Sequence, residues 1–146
     1  MQDGKGRVQA SLRAVVPCRL EFRDGVGYLL ESLCGGLDQQ LAYQVVSAFN
    51  EAFNNVVEHS GLGAQADVEV EAWRGEHELK LRIIDGGVAY EVSPVAEDFP
   101  ELASLPEEGM GWVIIRRCMD EVVLERRDRN VLSMVRYLNR PAGVRI

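Results

Sequence analysis

The residues best suited to chemistry in this sequence lie in the segment FNEAFNNVVEHSG, from Phe49 to Gly61. Its apolar residues recur with the period of an amphipathic helix, and Glu51 and Asn55 stand one turn apart at the edge of the apolar arc. A carboxylate and an amide so placed could divide a task, with Glu51 deprotonating a nucleophile and Asn55 offering its carbonyl oxygen to Mg²⁺. The same pattern also fits an ordinary amphipathic helix with amides on its polar side. Asn54 points toward the solvated side, where the sequence indicates no function for it.

A second candidate site lies in IIDGGVAY, residues 83–90, where an Asp ends an apolar strand and two glycines follow. Asp85 could accept a hydrogen bond from an exocyclic amine, and Gly87 would allow the backbone to approach a ligand closely. Asp-Gly is also a common strand-ending turn, so the motif alone leaves both interpretations open.

A third candidate site lies in EEGMGWVII, residues 107–115. Glycines in the first turn of a helix leave backbone N–H groups open to an anion, which the positive end of the helix dipole also attracts. An ordinary loop-to-helix junction, with Gly109 as N-cap, would have the same sequence.

The remaining pattern predicts the elements that must position these clusters. Loose alternation predicts a strand over residues 7–16, and a helix follows over residues 17–33. Asp38 is a plausible N-cap for a long second helix, which ends near Ser60. The alternating segments ADVEVEAW and ELKLRIID surround RGEH and predict a hairpin.

The C-terminal half contains a loop, a helix and a second hairpin. Gly, Pro and acidic residues over 86–108 indicate a loop or lid, and a third helix begins at the following glycines. The last hairpin turns at residues 128–130. Two helices before an antiparallel sheet, with a third helix inserted, predict an α+β two-layer sandwich. The family resemblance given below implies that this sheet is mixed, mostly antiparallel, and covered by helices on one face.

Length, composition and charge exclude several classes of protein. The 146 residues predict a single domain over 1–146, with a core from about 12 to 138. No apolar run reaches the roughly 18 residues that a membrane-spanning helix needs, and MQDGKGR is no signal peptide. The net charge of −7 argues against nucleic acid as a direct partner.

The cysteines indicate the compartment. Cys18, Cys34 and Cys118 are widely spaced and odd in number, and they fit neither a zinc site nor a disulfide framework. They therefore predict reduced, buried thiols in a cytoplasmic protein.

The order of the three clusters is more specific than any one of them. A Glu and an Asn on a helix, an Asp-x-Gly after a strand, and a Gly-x-Gly that opens a helix together resemble the ATP site of the GHKL (Bergerat) ATPases. The sequence is most similar to the anti-sigma factor serine/threonine-protein kinases of bacterial partner switching. NEAFNNVVEHS matches the Glu-x-x-x-Asn-x-x-x-His box of that family, IIDGG its Asp-x-Gly box, and EEGMGWVII its Gly-x-Gly helix. The resemblance covers about residues 12 to 138.

This resemblance implies ATP and Mg²⁺ as cofactors. It makes Asn55 the Mg²⁺ ligand and Glu51 the general base. Asp85 would hold the adenine amine, with Gly87 beneath the nucleotide.

Further residues take their expected roles from the same resemblance. Gly109, Met110 and Gly111 would give backbone amides to the phosphates. Ser133 stands where relatives often place a Thr near the adenine. His59 matches the family box, and we expect it to cap or pack at the helix end.

The charge of the expected lid departs from what a triphosphate site would favour. Between Arg82 and Arg116 the sequence contains no Lys or Arg, whereas several Asp and Glu residues occur there. A triphosphate would therefore depend on Mg²⁺ and helix-terminal amides for charge neutralisation.

The resemblance implies a protein kinase that phosphorylates a STAS-domain anti-anti-sigma protein and, as a homodimer, sequesters a sigma factor. We expect the N-terminal strand and first helix to form the dimer interface. Two alternatives stay open: an ATP-dependent anti-sigma or adaptor module without catalysis, and the detached ATPase part of another regulator. Glu51 favours the kinase because a pure binding module needs no base, whereas the lack of basic residues in the lid favours a binding module.

Overall fold

Three helices lie against one face of a five-stranded sheet in the part of the chain that the computed structural model describes, residues 7–90 and 110–138. The helices are α1 (Arg23–Leu33), α2 (Gln39–His59) and α3 (Met110–Cys118), and a short 3-10 turn, Leu20–Phe22, precedes α1. The strands are β1 (Ala10–Pro17), β2 (Asp67–Arg74), β3 (Glu78–Asp85), β4 (Glu121–Arg126) and β5 (Asn130–Tyr137).

The sheet has the strand order β1-β2-β3-β5-β4, and each pairing among the described residues is antiparallel. The predicted α+β fold, with helices on one face, is confirmed. The parallel pairing that a mixed sheet would contain does not occur within the described residues. Strands β3 and β5 lie side by side although helix α3 separates them in sequence, and this places the end of β3 beside the start of β5.

Only the start of the first helix differs from the predicted elements by more than a few residues. Pro17 ends β1 instead of opening a helix. The next residue, Cys18, is still bonded to the chain that leads into β2, because its N–H donates to the Ala66 carbonyl at 2.8 Å. Helical structure begins only at Leu20, after Arg19 in an extended conformation.

Helix α2 forms the centre of the helix layer. The Asp38 carboxylate accepts a hydrogen bond from the Gln40 N–H at 2.9 Å, as the predicted N-cap should. One stripe of the helix is buried among the apolar residues of β2, β3 and β5, and it consists of Leu41, Val45, Ala48, Phe49, Ala52, Phe53 and Val56. This burial supplies most of the hydrophobic stabilisation of the helix and fixes its rotation about its own axis. The two sides of α2 that flank this buried stripe therefore face the neighbouring helices, one side toward α1 and the other toward α3.

Helix α1 contacts both helix α2 and strand β2 of the sheet. A methyl group on Gly27 would lie 3.7 Å from Val46 and 3.8 Å from Asn50, so the two helices approach closely there. The Arg74 guanidinium of β2 donates to the carbonyl oxygens of Leu33 and Gly35 at 3.0 and 2.6 Å. These bonds satisfy carbonyls at the C-terminal end of α1, which has no intrahelical donors for them.

The three cysteines are free thiols, and two of them, Cys18 and Cys34, are buried as predicted. Cys118 is half-buried, because it lies at the end of α3 beside a groove. Over residues 7–90 and 110–138, no helix combines the length and the apolar character that crossing a membrane would require.

Candidate functional site

Asp85 ends β3 with its carboxylate buried, only 1% exposed. Its Oδ1 accepts hydrogen bonds from the Gly87 N–H at 2.9 Å and from the Asn130 Nδ2 at 3.0 Å. Its Oδ2 is also buried, but it accepts no hydrogen bond. Because a buried polar atom without a partner is costly, this oxygen is suited to a donor that a ligand would bring.

Asn130 is the residue that sequence reasoning missed at this position. It begins β5 directly opposite Asp85 and is itself only 1% exposed. Besides Asp85, its side-chain amide donates to the Val88 carbonyl at 2.9 Å, so it holds both the carboxylate and the chain that follows. No local motif marks this role, because it depends on the register between two strands distant in sequence.

The same register separates Ser133, the residue predicted near the adenine, from Asp85. Ser133 is paired with Arg82, and it alternates along β5 with Leu132 and Met134, which are buried in the core. Its side chain therefore lies on the face of the sheet away from the helices, opposite to that of Asp85. The residue of β5 that lies beside the Asp85 carboxylate is Asn130.

Gly87 lies against the C-terminal end of α2. A methyl group at this position would lie 2.3 Å from the Ser60 carbonyl oxygen and 2.5 Å from the Ser60 Cβ. The next residue, Val88, donates its N–H to that same oxygen at 2.7 Å. The glycine is thus required by the close approach of two backbone segments, and its predicted place beneath a nucleotide stays a prediction.

The first turn of α3 lies against two polar residues of α2, Glu51 and Asn55. A methyl group on Gly111 would lie 3.1 Å from Glu51 Oε1 and 3.8 Å from Asn55 Oδ1. Met110, the first residue of α3, is the neighbour of that glycine, whereas Gly109 lies outside the described residues. The fold therefore brings Glu51, Asn55 and the N-terminal end of a helix together, as their predicted roles require.

The environment of Glu51 alters its acidity. Partial burial is the largest influence and raises the pKa of the Glu51 carboxyl above its ordinary value. The positive charge of Arg23 acts against this pKa shift, and the negative charge of Glu58 adds to it. A carboxylate with a raised pKa is a stronger base than an ordinary surface Glu. Nearby, the amide nitrogen of Asn55 is buried and donates no hydrogen bond.

Glu51 can be reached from outside the helix layer. A groove of about 530 Å³ runs between α2 and α3, and Glu51 lines it together with Tyr43, Asn50, Ile114 and Arg117. A smaller groove, of about 270 Å³, runs between α1 and α2 and also reaches Asn50. An incoming group could therefore approach the Glu51 carboxylate along the seam of α2 and α3.

The sequence predicts that Asn54 faces solvent without a function, but in the structure its side chain has a partner on α1. Its Oδ1 accepts a hydrogen bond from Arg23 Nη1 at 2.9 Å, and the bond is partly buried between α1 and α2. His59, by contrast, has a side chain that is 63% exposed and lies beside Glu58. The expectation that His59 caps or packs is therefore not met, and the Ser60 N–H continues the helix by bonding to the Val56 carbonyl.

The sequence matches a known protein family. A model of the histidine kinase-like ATPase domain matches residues 19–136, which is most of the chain. The chain belongs to this family. The resemblance to GHKL-type ATPases and the α+β fold class are thereby confirmed.

Individual relatives lie among the serine kinases of the family. The chain is 25% identical over 100 residues to the serine-protein kinase RsbW of Bacillus thuringiensis (strain Al Hakam) and, equally, to that of Bacillus anthracis. The alignment covers 64% of this chain and 62% of each relative, so the chain spans about three fifths of their length.

Two solved structures share the fold. The RsbU and RsbW domains of Rv1364c from Mycobacterium tuberculosis match with a TM-score of 0.67 and 15% identity, over 94% of this chain and 35% of that one. A chain of the SiaB–SiaC complex from Pseudomonas aeruginosa matches with a TM-score of 0.58 and 14% identity, over 91% of this chain and 92% of that one.

The contact of Gly87 with Ser60 generates a stability prediction. We expect Gly87→Ala to lower the free energy of unfolding by roughly 1–3 kcal/mol, because the added methyl group must displace backbone. Gly86→Ala is the matched control, since a methyl group there meets nothing within 4 Å and should change stability by less than about 0.5 kcal/mol. Urea unfolding of both variants measures the difference, and equal stability would contradict the close packing.

Proposed function

We propose that this chain is an ATP-dependent serine/threonine-protein kinase and anti-sigma factor, which phosphorylates a STAS-domain anti-anti-sigma protein and sequesters a sigma factor. The observation that carries the proposal is the packing of the first turn of α3 against Glu51 and Asn55. This places a candidate base, a candidate metal ligand and helix-terminal N–H groups in one region. The serine-protein kinases among its relatives support the same reaction.

The described residues fit an adenine nucleotide. The unpartnered Oδ2 of Asp85 could accept a hydrogen bond from the exocyclic adenine amine, and Asn130 holds the carboxylate in place for it. The predicted phosphate contacts are the backbone amides of Met110 and Gly111, together with that of Gly109.

Asn55 fits a Mg²⁺ that is shared with phosphate. Over the described ranges, no group of three or more His, Cys, Asp or Glu residues could hold a metal ion. Mg²⁺ commonly takes one or two protein oxygens and completes its shell with water and substrate phosphates. Asn55 alone can therefore serve as the protein ligand when nucleotide is present.

Glu51 would act as the general base. Bound MgATP would supply the phosphoryl group and part of the charge neutralisation. The Glu51 carboxylate would accept the proton of a Ser or Thr hydroxyl that enters along the groove between α2 and α3. The raised pKa of Glu51 suits it to this proton transfer.

The partners belong to the proposal as well. A phosphate of about −1.5 to −2 charge on the acceptor protein would disrupt an interface by repulsion and desolvation. The structural relative SiaB is known from a complex with SiaC, and this supports a protein partner for this chain. We place the single domain of residues 1–146 in the cytoplasm, where sigma factors act.

A catalytically weak, ATP-dependent anti-sigma or adaptor module is the second candidate. The observation that favours it is the absence of Lys and Arg from residues 83–115 of the sequence. Without a cation near the transferred group, a kinase would lose part of the electrostatic stabilisation of its transition state. Transfer to an acceptor protein separates the two functions.

Nucleotide binding is the first test of the proposal. We expect ATP or ADP with Mg²⁺ to raise the melting temperature, and EDTA to abolish this rise. At a nucleotide concentration of 100 times the dissociation constant, the free energy of unfolding should increase by about 2.7 kcal/mol. Asp85→Asn should lose nucleotide binding, because an amide supplies one acceptor oxygen and no charge. Asp67→Asn, at the exposed start of β2, is the control. Unchanged melting of the wild type at millimolar Mg-nucleotide would refute the site.

The second test concerns the base. Glu51→Ala should retain MgATP affinity and lower phosphoryl transfer by roughly 10²–10⁴-fold, the usual contribution of a positioned base. Asn55→Ala should weaken both binding and transfer, because it removes the metal ligand. Glu76→Ala, which removes an exposed carboxylate in the turn between β2 and β3, should do neither. Transfer is measured with radiolabelled ATP and the small STAS-like proteins of the same genome, and equal rates for Glu51→Ala and wild type would remove the catalytic role.

The third test concerns the homodimer. Exposed apolar residues on β1 and α1, Val15 at 47% and Leu29 at 50%, support an interface on these elements. Light scattering at tens of micromolar should give a dimer mass, and Leu29→Glu should shift it toward the monomer. Val123→Glu changes an equally exposed residue on the opposite edge strand, β4, and should leave the mass unchanged. A monomeric wild type would exclude the dimer.

A further inference from the structure

The stretch from β3 to α3 contains no positive side chain, yet a triphosphate brings several negative charges to this region. Residues 83–115 contain no Lys or Arg. Phosphate sites in proteins commonly neutralise such charge with Arg, whose N–H groups match phosphate oxygens in geometry. The fold brings an Arg from a distant part of the sequence, Arg23, into contact with Asn54, three residues from Glu51 on α2.

Arg23 begins α1, and its side chain contacts Asn54 on α2. Its Nη1 donates to Asn54 Oδ1 at 2.9 Å, and its Nε lies 3.2 Å from Asp24 Oδ1. The side chain is 30% exposed, so most of it is covered. Asn54 follows Glu51 by three residues, which puts the two side chains next to each other on the helix surface.

The electrostatics indicate that Arg23 is close to the candidate site. Its positive charge opposes the rise that burial causes in the pKa of the Glu51 carboxyl, although that pKa remains raised. Arg117 also lines the groove that contains Glu51, but it belongs to the last turn of α3, at the end away from Gly111. Arg23 is therefore the better placed of these two cations for a phosphate bound at the first turn of α3.

We propose that Arg23, held in place by Asn54, is a binding residue for the terminal phosphate of the nucleotide. The proposal rests on the proposed nucleotide site. A guanidinium has five N–H donors, of which the contacts with Asn54 and Asp24 use two, so donors remain for phosphate oxygens. Because Asn54 already orders the side chain, less conformational entropy is lost when a phosphate binds. Asn54 thereby has a function in mid-helix.

The test compares ATP with ADP, which lacks the terminal phosphate. By titration calorimetry with Mg²⁺, Arg23→Gln should weaken ATP binding by roughly 10- to 100-fold, the range of a hydrogen bond to a charged group. ADP binding should change by less than about threefold, since ADP has no phosphate at that position. Asn54→Leu keeps the cation but removes the group that holds it, and it should weaken ATP binding by a smaller factor. Arg23→Lys should lie between wild type and Arg23→Gln.

Arg19→Gln is the matched control. It removes a positive charge from the same stretch of chain, but Arg19 pairs with Glu21 at the exposed surface. It should leave both affinities unchanged, which separates a local contact from a change in net charge.

Two outcomes would overturn the proposal. If Arg23→Gln lowers the melting temperature of the free protein but leaves the ratio of ATP to ADP affinity unchanged, Arg23 only joins α1 to α2. If wild type binds neither nucleotide, the proposed function fails and this inference fails with it. Because wild-type binding is measured first, the two failures are distinguished.

Discussion

The contact between residues 87–88 and the C-terminal end of α2 is the constraint on which the rest of the site depends. The Val88 N–H bonds to the Ser60 carbonyl, and Gly87 lets the two backbones approach without a side chain between them. The end of β3 is thereby fixed to the end of the helix that carries Glu51 and Asn55. Since α2 is buried along a whole stripe, this single junction sets the position of the sheet carboxylate relative to the helix residues.

The site contains two carboxylates in different environments. Asp85 is almost fully buried and has one oxygen held by the Gly87 N–H and by Asn130, while the other has no partner. Glu51 is half-buried in a groove beside the first turn of α3, and the positive charge of Arg23 acts against the rise of its pKa. The first arrangement suits recognition by a fixed hydrogen-bond acceptor, whereas the second suits proton transfer at a group that can be reached.

Much of the fold follows from local patterns. The long helix, both hairpins and the Asp38 cap occur where the sequence predicts them, because each depends on side-chain periodicity and on residues only a few positions apart. The three motifs likewise indicate a nucleotide site, because Glu51, Asn55, Asp85 and the glycines occur in a family order that is visible in the chain. The predicted start of α1 is wrong, because Pro17 ends β1 and the Cys18 N–H still bonds to the Ala66 carbonyl.

What the sequence by itself determined was the set of elements and the residue types available for chemistry. The tertiary structure alone decided which side chains meet. The register of β3 with β5 puts Asn130 beside Asp85 and turns Ser133 to the other face, since neighbouring residues of a strand point in opposite directions. The packing of α1 on α2 gives Asn54 a guanidinium partner, Arg23, from a distant part of the chain. These pairings join residues far apart in the chain, so no local pattern encodes them.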